Sequence, residues 1–193
     1  MKQERLGFLG LGAMGFAMCC GLHKAGYRMI LPGWRRESMQ KHGFNSIAPD
    51  GPAKAARFDE MVAEGAVSAH DQASLIAQSD VILLSLPTSA QVESVVLGED
   101  GILAHAAPGS VVIDLTSGDA AVSRRLAAQL EARGVGFLDS PVSGGTHKAV
   151  YQMWSRLSAD GNGQRDAMCL IREYERWCGR PIAGLAADAQ PNK

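Results

Sequence analysis

Residues Phe8 to Gly15, FLGLGAMG, place three glycines at the spacing G-x-G-x-x-G directly behind the apolar run RLGFLG. This turn restricts the fold more than any other stretch. Gly10 permits a tight turn out of a strand, Gly12 lets backbone approach a bulky anion, and Gly15 lets the next helix pack closely on a sheet. Met14, Met18, Leu22 and Ala25 then recur at helical spacing, and Gly26 closes that helix ahead of YRMIL, a second strand-like run. Strand, glycine turn, helix and strand in this order predict a dinucleotide site, with pyrophosphate against the N-terminal amides of the helix.

Apolar runs of strand length alternate with helical segments along the rest of the chain. DVILLSLP, SVVIDL and VGFLDSP read as strands, AVSA as a short one, and AKAARFDEMVAEG, DQASLIAQS, SAQVESVVL, EDGILAHA and AAVSRRLAAQLEARG as helices. In the last of these, Arg124, Arg125 and Glu131 lie off the apolar face. The pattern predicts an α/β fold, a Rossmann-type doubly wound, mostly parallel sheet with helices on both faces. Residues 32–52 break the rhythm with Pro-Gly-type turn signals and read as a loop-rich insertion. The expected division is one dinucleotide-binding domain over 1–183, with a divergent edge at 146–183, followed by a short segment at 184–193.

A net charge of −1 gives no general attraction to nucleic acid or anionic membrane. The apolar runs are too short to cross a bilayer, and the N-terminus enters a strand without a signal-peptide pattern, so a cytoplasmic protein is expected. Cys19, Cys20, Cys169 and Cys178 form no C-x-x-C pair, and the five histidines show no ligand spacing. Reduced thiols on helices and no metal site are expected.

In folds of this type the residue about twenty positions beyond the glycines reads the adenosine ribose. An acid there binds the 2′-hydroxyl of NAD, and an arginine favours the 2′-phosphate of NADP. Arg35 and Arg36 stand at that distance and point to NADP, with Glu37 beside them as a group that could serve a ribose hydroxyl. The alternative makes both arginines solvated loop charges beside the insertion.

FLGLGAMGFAM, SLPTSAQVESVVLGEDGIL, PGSVVIDLTSGD and FLDSPVSGG occur in that order. Together they resemble the β-hydroxyacid dehydrogenases, the group that includes 3-hydroxyisobutyrate dehydrogenase, tartronate semialdehyde reductase, L-threonate dehydrogenase and, more distantly, 6-phosphogluconate dehydrogenase. The resemblance implies an NAD(P)-dependent oxidoreductase moving hydride between nicotinamide and a small 3-hydroxy acid or its semialdehyde. It implies cofactor contacts at Gly10, Leu11, Gly12, Ala13, Met14 and Gly15, at Leu86, Pro87, Thr88 and Gln91, and at Thr116 and Ser117. Ser117, Ser143, Gly144 and Gly145 would meet the substrate carboxylate. The bland alternative makes Ser117 a helix N-cap and Gly144-Gly145 a turn. Imine reductases share the fold and can show LTSG, as at Leu115 to Gly118, but the PVSGG loop favours hydroxy acids.

Carbonyl reduction also needs a proton donor for the developing alkoxide. The family uses a lysine behind a glycine-rich stretch, and GLAADAQPNK puts Lys193 at that position, with Ala187 and Ala189 where glycines are usual. Lys193 is the last residue, so the family's helical C-terminal domain would have to come from a homo-oligomer or from a partner chain. A binding module without turnover is the alternative expectation.

Overall fold

A computed structural model describes residues 4–37 and 51–142 of the chain. Strand β1 (Arg5–Leu9) leads through the glycine turn into α1 (Ala13–Lys24), and β2 (Arg28–Pro32) follows. A 3-10 turn at Gly33–Arg35 comes next, and the chain is described again from α2 (Gly51–Ala63) into β3 (Val67–Ala69) and α3 (Gln72–Ala77). After β4 (Val81–Leu84) come α4 (Ser89–Leu97) and α5 (Ile102–His105). The described part closes with β5 (Val111–Asp114), α6 (Ala120–Glu131) and β6 (Gly136–Asp139).

The six strands form one parallel sheet in the order β3-β2-β1-β4-β5-β6. This is the doubly wound Rossmann arrangement, and its strand order reverses beside β1. Parallel strands covered on both faces must be apolar on both faces, and every residue of β4 and β5 is buried. Side-chain alternation along the strands divides the core in two. Leu6, Phe8, Met29, Leu31, Val81 and Leu83 pack with Phe16, Met18 and Leu22 of α1 and with Phe58 and Met61 of α2. Leu9, Ile30, Ile82, Leu84 and Val112 point the other way, into Leu75 and Ile76 of α3, Val92 and Val96 of α4, Ile102 of α5, and Leu126 and Leu130 of α6.

At the amino ends of the strands, away from the glycine turn, β1 and β4 are tied together where they begin. The Arg5 guanidinium donates to both carboxylate oxygens of Asp80, at 2.8 and 3.1 Å, and the Asp80 amide donates to the Arg5 carbonyl at 2.9 Å. This pair sets the register from which the Leu9↔Leu84 end of the ladder is reached.

The predicted insertion at 32–52 is narrower than its sequence suggests. Pro32 completes β2, Gly33–Arg35 form the 3-10 turn, and Gly51 and Pro52 already belong to α2. Proline is tolerated there because it sits in the first turn of a helix, where its missing N–H removes no hydrogen bond. Strands also end earlier than their apolar runs. The ladder stops at Leu84 and Asp114, while Leu115 stays buried and gives its amide to the Leu84 carbonyl at 2.8 Å. Among the described residues no helix is long and apolar enough to cross a membrane. Cys19 is buried and Cys20 half-buried on α1, both as free thiols, and Cys169 and Cys178 lie outside the described residues.

Candidate functional site

The glycine turn lies at the carboxyl end of β1, between β2 and β4, where an open α/β sheet presents a crevice. Gly10 has φ +96°, and a Cβ on it would meet the Ser85 carbonyl oxygen at 2.1 Å. A Cβ on Gly15 would fall 2.0 Å from the Gly10 carbonyl oxygen. Those two glycines are therefore demanded by the close passage of β1, β4 and α1. Gly12 differs, because a Cβ there would meet nothing within 4 Å among the described residues.

Gly12 is also the N-cap of α1, so no side chain at that position satisfies the first amides of the helix, and the first turn carries no acidic residue. Free N–H groups and the positive end of a twelve-residue helix thus face open space that only the absence of a side chain preserves. That space and those donors fit the pyrophosphate of a dinucleotide. Leu11 is buried beneath the turn, Ala13 opens α1, and Met14 packs partly against the core.

The loops after β4 and β5 form the next wall. The Leu86 amide donates to the Thr116 hydroxyl at 3.1 Å, and the Thr116 amide donates to the Asp114 carboxylate at 2.9 Å. Leu86 is half-buried, whereas Pro87, Thr88 and Gln91 are exposed towards solvent. Thr88 caps α4 by accepting from the Gln91 amide. The Ser89 hydroxyl accepts from the Asp119 amide at 2.7 Å and so joins the start of α4 to the start of α6. Burial pushes the Asp114 carboxyl above its ordinary pKa, with the nearby Asp139 charge acting in the same direction and the Thr116 hydrogen bonds opposing it.

Ser117 is exposed beyond the end of β5. It is not the cap of the following helix, because Asp119 holds that position and accepts from the Ala121 amide at 2.8 Å. Ser117 follows Thr116, whose hydroxyl accepts from the Leu86 amide. Ser143, Gly144, Gly145 and Lys193 lie outside the described residues.

Arg35 and Arg36 follow β2, at the edge where the adenosine end of a dinucleotide would be read. Arg35 is exposed, while Arg36 forms a two-pronged ion pair with Asp59 of α2, its Nε donating to one carboxylate oxygen at 3.0 Å. The guanidinium holds the Asp59 carboxyl below the usual carboxylate range. Arg36 is thus oriented by an acid twenty-three residues further along the chain.

Sequence reasoning missed three groups here. Asp59 and Lys54 sit on α2 with no spacing signal, and only the packing of α2 brings Asp59 to Arg36 and Lys54 to the glycine turn. Lys54 is buried, and its ammonium donates to the Leu11 carbonyl. Asp114 was legible as the acid opening DLTS, but its burial depends on the neighbouring strand end.

Comparison with known proteins agrees with this geometry. The family described as the NAD binding domain of 6-phosphogluconate dehydrogenase matches residues 5–158. The chain is 35% identical over 150 residues to an NAD-dependent L-serine dehydrogenase of Pseudomonas aeruginosa, covering 78% of this chain and 43% of that protein. It is 32% identical over 141 residues to a 2-hydroxy-3-oxopropionate reductase of Escherichia coli, covering 73% and 41% respectively. A solved 3-hydroxyisobutyrate dehydrogenase from Salmonella typhimurium superposes with a TM-score of 0.59 at 27% identity, covering 77% of this chain and 45% of that one. The chain spans less than half the length of these relatives. By its glycine turn, its strand order and these matches, it belongs to the β-hydroxyacid dehydrogenase family, through an NAD-binding domain of the 6-phosphogluconate dehydrogenase type.

Proposed function

We propose that this chain binds NADP in preference to NAD along residues 10–15 and serves hydride transfer to or from a small 3-hydroxy acid or its semialdehyde. The observation that carries this reading is the open space at Gly12, held between two glycines whose own positions are sterically fixed. A bound nicotinamide supplies the hydride acceptor or donor. The chain's own groups do the rest: the α1 amides receive the pyrophosphate, Leu86 and Pro87 line the cofactor's path, and Thr116 fixes the Leu86 backbone. Ser117 offers a hydroxyl at the substrate end. In the same reading Ser143, Gly144 and Gly145 meet the substrate carboxylate, and Lys193 is the candidate proton donor.

The NADP preference rests on Arg35 and Arg36. An arginine pre-oriented by a carboxylate presents its remaining N–H groups in a fixed direction, but the carboxylate also repels a 2′-phosphate. Asp59→Asn is therefore expected to tighten NADPH binding about fivefold relative to NADH, or roughly 1 kcal/mol. Replacing Arg35 and Arg36 together by alanine is expected to remove the discrimination. A ratio of affinities unchanged in both variants would refute the preference.

The whole reading is tested by titrating the purified chain with NADPH and NADH, following nicotinamide fluorescence. Turnover of 3-hydroxyisobutyrate, L-serine and L-threonate is assayed with the oxidised cofactors in the same samples. Binding of neither dinucleotide overturns the site. Binding without turnover keeps the site and overturns the reaction for this chain.

A further inference from the structure

Lys54 is among the largest fully buried side chains of the described residues, at 1% exposure, although its position in the first turns of α2 would read as solvated in sequence. Burying an ammonium is costly unless its charge is matched. Its ammonium donates to the carbonyl of Leu11, the residue between the first two glycines of the turn. It also lies over the Phe16 ring, 5.1 Å from the centroid, where the face of the π system is electron-rich. Both contacts hold the ammonium against the turn that carries the candidate pyrophosphate site.

The described chain has no cis peptide bonds, so the Leu11 C=O and the Gly12 N–H lie in one plane and point in opposite directions. Whatever fixes the carbonyl on one side fixes the amide on the other. We propose that Lys54 is a positioning residue for dinucleotide binding: by holding the Leu11 carbonyl it aims the Gly12 amide at the pyrophosphate, and it places a buried positive charge behind the turn.

Burial lowers the pKa of the Lys54 ammonium from its ordinary value. A bound pyrophosphate brings full negative charges that favour the ammonium form. A dinucleotide on the turn therefore strengthens the charge that Lys54 carries behind it. This inference rests on the proposal that a dinucleotide lies along residues 10–15, and it goes beyond it by naming a group that acts on the turn from α2.

The test compares wild type with Lys54→Met, which keeps the stem and removes the charge and the donor, and with Lys54→Arg, which keeps both. The Met variant is expected to weaken NADPH and NADH alike, by about tenfold each, and the Arg variant to recover most of that loss. The ratio of the two affinities stays unchanged, because the pyrophosphate is common to both. Unchanged affinities in the Met variant would overturn the proposal, and so would a loss confined to NADPH, which would make Lys54 a reader of the 2′-phosphate.

Unfolding midpoints are measured first. A Met variant that does not fold is replaced by Lys54→Gln, with the same expectation. Amide hydrogen exchange across residues 10–15, followed without cofactor, reads the turn itself. Faster exchange in the Met variant is expected, and unchanged exchange would overturn the anchoring role even if wild type bound neither dinucleotide. Failure of the wild-type titration alone would instead remove the dinucleotide reading.

Discussion

Gly12 and Gly15 share one motif and answer to different constraints. A Cβ on Gly15 would force the Gly10 carbonyl to move, so Gly15→Ala is expected to cost roughly 1–3 kcal/mol of stability, as overpacking does. Gly12 sits at φ −68° and ψ −168°, a conformation open to any residue, and a Cβ on it would meet no atom of the described residues within 4 Å. Gly12→Val is expected to unfold at nearly the wild-type temperature and to bind NADPH at least tenfold more weakly; thermal unfolding and fluorescence titration together separate the two glycines. If Gly12→Val bound normally, the pyrophosphate would not lie on this turn. Asp114 makes a different prediction, through pH. Its native pKa is raised, so between the unfolded value of about 4 and the raised native value the folded chain holds more protons than the unfolded one. Its contribution to stability therefore falls as pH rises through that window. Asp114→Asn keeps an acceptor for the Thr116 amide and is expected to flatten this part of the profile, measured as unfolding midpoint against pH. A profile as steep as that of wild type would place the titration elsewhere.

Helix α3 shows how local chemistry alone can set an element. Asp71 accepts from the Ser74 amide at 2.7 Å, and Ser74 Oγ accepts from the Asp71 amide at 3.3 Å, a reciprocal cap on a helix of six residues. Asp71→Ala is expected to cost about 1 kcal/mol of stability and to leave NADPH affinity unchanged, because α3 packs away from the glycine turn. Denaturant titration and cofactor titration check the two halves, and a weakened affinity would mean that α3 is coupled to the site. Elements of this kind were legible in sequence: α4 runs over Ser89–Leu97 as its period predicts, and α1 gives way to Gly26 at φ +89°. Strand ends were less legible. Burial continues past the ladder at Leu115, and composition registers burial rather than pairing.

The fold as a whole could be read from the glycine turn and the alternation of strands and helices, because in a doubly wound sheet each local signal repeats the global one. The electrostatics of the site could not. Arg36 meets Asp59, and Lys54 meets Leu11, across separations of 23 and 43 residues that carry no periodic signal. Both pairings arise from one event, the packing of α2 beside α1 on a single face of the sheet. The other face, with α3 to α6, carries a cluster of its own. That partition puts most of the side chains of the two clusters on opposite sides of the strands. Substitutions among Leu75, Val92, Val96 and Leu126 can be combined with substitutions at the dinucleotide turn with nearly additive effects, which gives anyone redesigning this chain two places to work independently.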